Sequence, residues 1–576
     1  MDSSSTDNRS TQRPGTENMP SHAGDRSPRH VADWLIARLE QTPDRVAYWN
    51  RTETGYVPWT WSEVIDRACR CAALLHAWGV QPGDRVAQLS ENRTEWLILD
   101  LATHIVRAVH VPIHASLTAT QVDYQIGHSG SKVVCCSTPE QLQKVLSQPA
   151  GAAVQHVVLY AGLAEGVDAR VVDWPTAIEQ ADAGHGQALL EQTLARAEPA
   201  DLATILYTSG TTGEPKGVML NQQNLVTNAD GTQLLFGFQP DDVRLTFLPL
   251  SHIFARTCDL YTWLARGSQL ALAGARETVL DDARAIRPMV MNGVPYFFEV
   301  VRRKFLESDY ANQPDGLRAM LGGRLRMFCS GGAGLPEYLY DFFRDHGIPI
   351  YQGYGLTESS PVITISTPQA DRRGASGQVL PGVDVRLGED AEILARGPNI
   401  MQGYWQSPDA TKQMVRDGWL YTGDYGSIDE DGFVYITGRK KELIVTSIGK
   451  NIAPVQLEAL IGEDPLVHQV MIVGDNRNYL TALIVPTADP LRAQIISRQI
   501  AVTSKEEALV HPQVVGIYQE LVDRQLSQLA PHEQVRKVAL VGRPFTIEQG
   551  ELTPKMSLRR AVILENFADV IERLYR

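Results

Sequence analysis

The stretch "LATILYTSGTTGEPKGVML", Leu202 to Leu220, holds the densest group of residues suited to gripping an anion. A strand-like apolar run stops at Tyr207. Thr208, Ser209, Thr211 and Thr212 then follow among Gly210, Gly213 and Gly217, with Lys216 close behind. Glycine lets backbone amides approach an anion, hydroxyls donate to phosphate oxygens, and lysine adds a mobile positive charge. The pattern reads as a phosphate cradle on a loop, with a flexible polar hairpin as the plain alternative. It is not the Walker loop, because Pro215 precedes Lys216 and no GK[ST] order opens a helix.

Other residues could do chemistry. Glu358, in "GLTES", is an acid beside a glycine-rich turn. Asp424, in "YTGD", could accept two hydrogen bonds from vicinal hydroxyls or merely serve a turn. His252, in "LPLSHIF", follows an apolar strand and reads equally as a structural or a functional imidazole. No Ser/His/Asp arrangement is visible. Near the C-terminus, "GELTPKMSLRR" crowds Lys555, Arg559 and Arg560 into one short stretch.

The elements that must position these groups are legible as a pattern. From about His30, helix-period stretches such as Trp61 to Trp78 alternate with short apolar runs, Arg85 to Leu89 and Val109 to Pro112. The alternation recurs through "KVVCCS", "QHVVLY", "RLTFLPL", "QLALAG" and "RLRMFCSGG", and predicts βα units around mostly parallel sheets. From Ser376 to Thr437, glycine and proline punctuation with short alternating strands predicts a small all-β, barrel-like unit, with a hairpin turn at Asp431-Gly432. A helix opened by Pro454 and the strands in "HQVMIVGD" and "TALIVPT" predict a separate α+β domain.

At 576 residues the chain is too long for one core. Its net charge of −14 is uneven: from Gly438 onward 17 lysines and arginines face 16 acids, against 36 and 51 in the remainder. So acidic a chain is a poor general binder of nucleic acid, although local basic groups can still hold small anions. Six cysteines without a CxxC pair read as core thiols in a reducing, cytoplasmic setting. No apolar run reaches membrane-spanning length, which leaves peripheral contact with a membrane open. Residues 1–30 lack apolar content and read as a disordered tail.

The ordered motifs "YTSGTTGEPKG", "FLPLSHIFAR", "CSGGAGLP", "YQGYGLTESSP" and "DGWLYTGDYGSIDEDGFVYITGRKKELIVTSIGKNIAP" resemble those of the AMP-forming adenylating enzymes: acyl-CoA synthetases, firefly luciferase and nonribosomal adenylation domains. The wording and the length of the GKN loop are most like the long-chain fatty acyl-CoA synthetases. The resemblance spans residues 30 to 576 and implies three parts: the tail, an ATP- and acyl-binding domain over 31–437, and a mobile C-terminal domain over 438–576. It implies ATP, Mg²⁺ and coenzyme A as the small molecules used, and a fatty acid as the acid activated through an acyl-AMP.

The same resemblance implies residue roles. Thr208, Ser209, Gly210, Thr211, Thr212, Gly213 and Lys216 would hold phosphates. Gly332, Gln352, Gly353, Tyr354 and Gly355 would line the adenine side, with Thr357 on the α-phosphate. Glu358, helped by Thr208, would hold Mg²⁺. Asp424 and Arg439 would reach the ribose, and Lys441 would be the hinge. Gly449 and Lys450 would flank the pantetheine, and His252 would sit near the carboxylate. A lysine that bridges carboxylate and α-phosphate aligns with Ser557, while this chain has Lys555 two positions earlier. In an extended segment two residues keep the same face and shift the origin by roughly 6.6 Å, so Lys555 is the expected substitute. Two other readings stay open: an acyl-AMP ligase that loads a carrier protein, and an adenylation-impaired binding relative. The "SIGKNIAP" loop favours free CoA.

Overall fold

The computed structural model describes residues 28–161, 170–208, 214–275, 277–447, 450–546, 549–552 and 558–576. Among them, two large sheets form most of the molecule. One has nine strands, and its centre is parallel: Val46–Thr52, Gln269–Leu272, Val243–Thr246, Val290–Gly293, Met327–Ser330 and Ile350–Gly355. The other has eight; from Leu202–Thr208 through Val109–Ile113, Arg85–Leu89 and Val133–Cys136 to Val171–Asp173 it is parallel. Most of these strands were foreshadowed by an apolar run; Val46–Thr52, Val290–Gly293 and Ile350–Gly355 were not. The βα expectation therefore holds.

Helices fill the space between the sheets. Trp61–Ala77 opens on a capping box in which Thr60 Oγ1 accepts from the Glu63 amide and Glu63 Oε2 accepts from the Thr60 amide at 2.7 Å. Its apolar face, Trp61, Val64, Ile65, Ala68, Ala72 and Leu75, recurs at helical spacing and is buried. It packs on Ala183–Arg196 so closely that a Cβ at Gly186 would meet the Cys69 carbonyl oxygen at 1.9 Å. The largest hydrophobic cluster joins Tyr48 and Leu270 of one sheet to Val86 and Val218 of the other through these helices. All six cysteines are buried free thiols, and burial pushes Cys135 and Cys329 up to about 12, which makes both inert at neutral pH.

The β unit forms as a five-stranded sheet, Asp384–Leu387, Glu392–Arg396, Trp419–Ile428, Val415–Arg416 and Val434–Arg439. The hairpin at Asp431-Gly432 is present: Gly432 has φ +82° and its amide donates to Asp429 O at 3.0 Å. The unit is not purely β. A helix, Pro408–Met414, interrupts it, and Gly403–Tyr404 leaves to pair with Lys216–Asn221 of the eight-stranded sheet. That crossing ties the unit to the loop-bearing strand.

Beyond it lie the helix Pro454–Gly462 and a three-stranded sheet, Val467–Val473, Leu480–Pro486 and Val535–Leu540. Ile472, Ala482 and Ile484 face one core, while Met471, Leu483 and Val485 face another. Burial on both faces is why these strands read as unbroken apolar runs rather than alternating ones. No helix among the described residues is long and apolar enough to cross a membrane.

Candidate active site

A cavity of about 2340 Å³ opens where the parallel strands of the nine-stranded sheet end, the usual place for a ligand in an open α/β sheet. Thr208, Lys216, His252, Gly332, Gln352, Gly353, Tyr354, Gly355, Thr357, Glu358, Asp424, Arg439 and Lys441 all line it. They are drawn from positions more than 200 residues apart, so only the fold brings them together.

Local geometry explains two of the glycines differently. A Cβ at Gly355 would lie 1.7 Å from the Pro361 carbonyl oxygen, so the protein itself forbids a side chain there. At Gly353 a Cβ would make only ordinary contacts, at 3.6 Å, with Ile365. The protein does not require that glycine, and its absent side chain keeps the cavity wall flat.

Asp424 is buried in the hairpin opposite Arg439, its register partner. Its Oδ2 accepts from the Tyr354 hydroxyl at 2.8 Å and its Oδ1 from Arg439 Nε at 2.7 Å. Burial and the neighbouring carboxylate push the Tyr354 phenol well up, so it stays a donor. Burial opposes the Arg439 charge, but Asp424 outweighs it and the guanidinium is held above its ordinary value. A carboxylate has about four lone-pair sites, so Asp424 retains capacity for vicinal hydroxyls after both bonds.

Glu358 follows the strand Ile350–Gly355, and its Oε1 accepts from the Tyr404 hydroxyl at 2.7 Å. Burial, then the Glu358 charge, raises the Tyr404 phenol. Lys216 Nζ lies 5.2 Å from the Tyr404 ring, and Thr208 is the register partner of Lys216. One carboxylate with a free oxygen, a hydroxyl and a nearby lysine fit a Mg²⁺ that is shared with phosphates, since that ion keeps few protein ligands. Among the described residues there is no cluster of three or more His, Cys, Asp or Glu that would cage a metal by itself. Tyr404 was not found from sequence. Its partner lies 46 residues away, and nothing local in "MQGYW" signals the contact.

His252 caps the helix Ile253–Ala255, its Nδ1 accepting from the Phe254 amide at 3.2 Å. Gln352 is committed on both ends: Oε1 accepts from the Leu335 amide at 3.3 Å and Nε2 donates to Ser376 Oγ at 3.2 Å. Thr357 is buried at the cavity edge. Lys440 Nζ donates to Asp390 Oδ2 at 2.6 Å and to Glu392 Oε2 at 3.3 Å. Lys441 beside it is exposed.

The C-terminal expectations separate. Lys450 is exposed, is held through its backbone by Thr446 and does not line the cavity. Ser209, Gly210, Thr211, Thr212, Gly213, Gly449, Lys555 and Ser557 lie outside the described residues. The flanks of the last pair are described. Leu552 pairs antiparallel with Leu558, and the Arg559 amide donates to Glu551 O at 2.7 Å. Arg560 grips Glu458 with bonds of 2.8 and 2.5 Å, and both residues line the cavity.

Comparison with known proteins agrees with this geometry. Residues 35–405 match the AMP-binding enzyme family and residues 441–576 match the AMP-binding enzyme C-terminal domain. The long-chain-fatty-acid–CoA ligase FadD15 of Mycobacterium tuberculosis is 32% identical, over 95% of this chain and 97% of that one. Fatty acyl-CoA synthetase A of Dictyostelium discoideum is 27% identical, over 90% and 85%. The ATP-bound crystal structure of MatB from Rhodopseudomonas palustris superposes with a TM-score of 0.74 at 27% identity, covering 94% of this chain and 99% of that one. A cavity at the strand ends, a carboxylate pinned between tyrosine and arginine, and two family matches that together span nearly the whole chain have one reading: the protein belongs to the AMP-binding enzyme family.

Proposed function

We propose that this protein is an acid–thiol ligase that activates a fatty acid with ATP, forms an acyl-AMP and transfers the acyl group to CoA. The observation that carries this reading is one cavity whose lining holds both Asp424, Tyr354 and Glu358 and the apolar side chains of Phe236, Phe238, Val362 and Ile365. The relatives at 32% and 27% identity, named as fatty-acid ligases or synthetases, support it.

A carboxylate resists attack by a thiol because its leaving group is poor. In the first step a carboxylate oxygen attacks the α-phosphorus of ATP and pyrophosphate departs. In the second, the CoA sulfur attacks the acyl carbon, AMP leaves, and the thiol proton is released. The first step brings two anions together, so the protein's task is positioning and charge neutralisation. Asp424 and Arg439 hold the ribose; Tyr354, Gly353, Gly355, Gln352 and Gly332 bound the adenine; Thr357 contacts the α-phosphate. Ser209 to Gly213 and Lys216 hold the outer phosphates. Glu358 and Thr208 hold Mg²⁺, which neutralises pyrophosphate charge when bound. His252 orients the acyl carboxylate, and Lys555 bridges it to the α-phosphate. Lys441 is the hinge at the 437/438 boundary, about which Gly449 and Lys450 swing toward the pantetheine.

Carboxylate-dependent exchange of pyrophosphate into ATP, over straight-chain acids from acetate to octadecanoate, tests the first step. Thioester formation with CoA, compared with a phosphopantetheinyl carrier protein, tests the second. The expected outcome is exchange with medium or long acids and a thioester with free CoA. Transfer to the carrier protein alone overturns the acceptor, and ATP binding without exchange on any acid overturns the ligase reading.

A further inference from the structure

One face of the nine-stranded sheet carries a run of cavity-lining residues. Gly331 and Gly353 lie at the end where Tyr354 meets Asp424. Two residues back along its strand, Cys329 lines the cavity beside its register partner Asn292. Two further back, Met327 pairs with Val290, and Val290 with Arg244, which also lines it. Alternation along the strands keeps these positions on one face, where Cys329, Val290 and Met327 share a hydrophobic cluster with Phe236, Phe238, Val362 and Ile365. Phe328, with Phe297 packed against it, belongs to the cluster on the opposite face. The lining closes in along the run: Cys329 is 7% exposed, Phe238 2% and Arg244 1%. From Gly331 to Met327 is roughly 13 Å. An extended alkyl chain, with C–C bonds of about 1.5 Å, advances about 1.3 Å per carbon, so this arm has room for about ten carbons.

The closed end is built by "LFGFQP", Leu235 to Pro240. The helix Gln222–Phe236 stops at Gly237, whose φ of +59° is left-handed and whose amide donates to Gln233 O at 3.2 Å. The chain turns there, and the rings of Phe236 and Phe238 stack with centres 5.3 Å apart and planes 10° from parallel. Phe236 also meets Tyr351, a register partner of Cys329, at 5.8 Å. Arg244 backs the pair: its guanidinium lies 4.0 Å from the Phe238 ring centre, and its Nη1 donates to the Cys258 carbonyl at 3.0 Å. A ring stacked on one neighbour and held by a cation on another has little freedom to swing aside.

We propose that Phe236 and Phe238 are the stop of an acyl arm and limit the straight-chain acids this protein activates to about ten or twelve carbons. The inference rests on the ligase reading and names its substrate as a medium-chain acid. The limit follows from packing. Each carbon beyond the stop must displace a ring or fold back within a narrow apolar channel, and overfilling a packed site is unfavourable. Both phenylalanines are thus specificity-determining residues, remote from the reacting atoms.

The test is kcat/KM for CoA thioester formation with even straight-chain acids from hexanoic to octadecanoic. The unaltered protein should work best between octanoic and dodecanoic acid, and use hexadecanoic acid roughly ten-fold less well than decanoic or worse. Phe238→Ala should raise the hexadecanoic-to-decanoic ratio by roughly ten-fold, since the apolar space left by a removed ring stays free of water and accepts hydrocarbon. The ratio is internal to each preparation, so a partial loss of folded protein cancels; Phe238→Leu and Phe236→Leu, each expected to raise it, serve if Phe238→Ala does not fold. Phe297→Ala, on the opposite face, should leave the ratio where it was. Hexadecanoic acid used as well as decanoic by the unaltered protein, a ratio that no Phe236 or Phe238 variant moves, or one moved as far by Phe297→Ala overturns the inference. Failure of every acid overturns the ligase reading instead.

Discussion

Lys555→Ala and Ser557→Ala address adenylation directly. If Lys555 bridges carboxylate and α-phosphate, its loss should slow pyrophosphate exchange by roughly 10² to 10³, the scale of removing one preorganised donor, while Ser557→Ala changes it little. Thioester formation from preformed acyl-AMP should suffer less in Lys555→Ala, and equal, small effects on exchange would sink the assignment. At Asp424, substitution by Asn keeps the shape but removes the charge that holds Arg439 and the Tyr354 hydroxyl. Weaker ATP binding, by roughly ten-fold or more in a direct titration, is the expected result. Glu358 and Asp424, which the fold does bring to the cavity, could be singled out because each sits in a local motif. Tyr404 could not, since it acts across 46 residues.

At the level of elements, the strand Ile350–Gly355 has a fixed steric demand. Gly355→Ala puts a methyl where the Pro361 carbonyl oxygen lies 1.7 Å away, so the strand must shift and carry Tyr354 with it. We expect a Tm several degrees lower together with impaired nucleotide binding, whereas Gly353→Ala, with 3.6 Å of clearance, should keep its Tm and lose only affinity. Differential scanning calorimetry with and without ATP separates the two. Most of the parallel strands, the hairpin at Gly432, the helix from Trp61 and the helix opened by Pro454 were readable because turn chemistry and apolar period are local. The helix Pro408–Met414 and the departure of Gly403–Tyr404 to another sheet were not, since both are settled by packing rather than by period.

For the whole molecule, acid should be the weak direction. His30, His104 and His110 are held by burial down at about 4, 3 and 4, and Asp100, although burial opposes its charge, is driven below its ordinary range by Arg256 and the two histidines. In each case the unfolded chain binds more protons than the folded one: the histidines cost stability as pH drops from about 6.5 toward 4, and Asp100 adds to the loss below its ordinary range. Thermal unfolding followed across that range should show Tm declining steadily, and His104→Gln should reduce the slope; a flat profile would contradict the buried neutral histidines. The hairpin that carries Asp424 and Arg439 has a further consequence for the two-step reaction. Both residues precede the proposed pivot at Lys441, and Lys440 is fastened to Asp390 and Glu392 on the same side. The grip on the ribose therefore need not open when the smaller domain turns. A reactive mixed anhydride can wait through that turn without escaping into water, and leakage of free acyl-AMP should rise when Asp424 is replaced even if the chemistry of both steps survives.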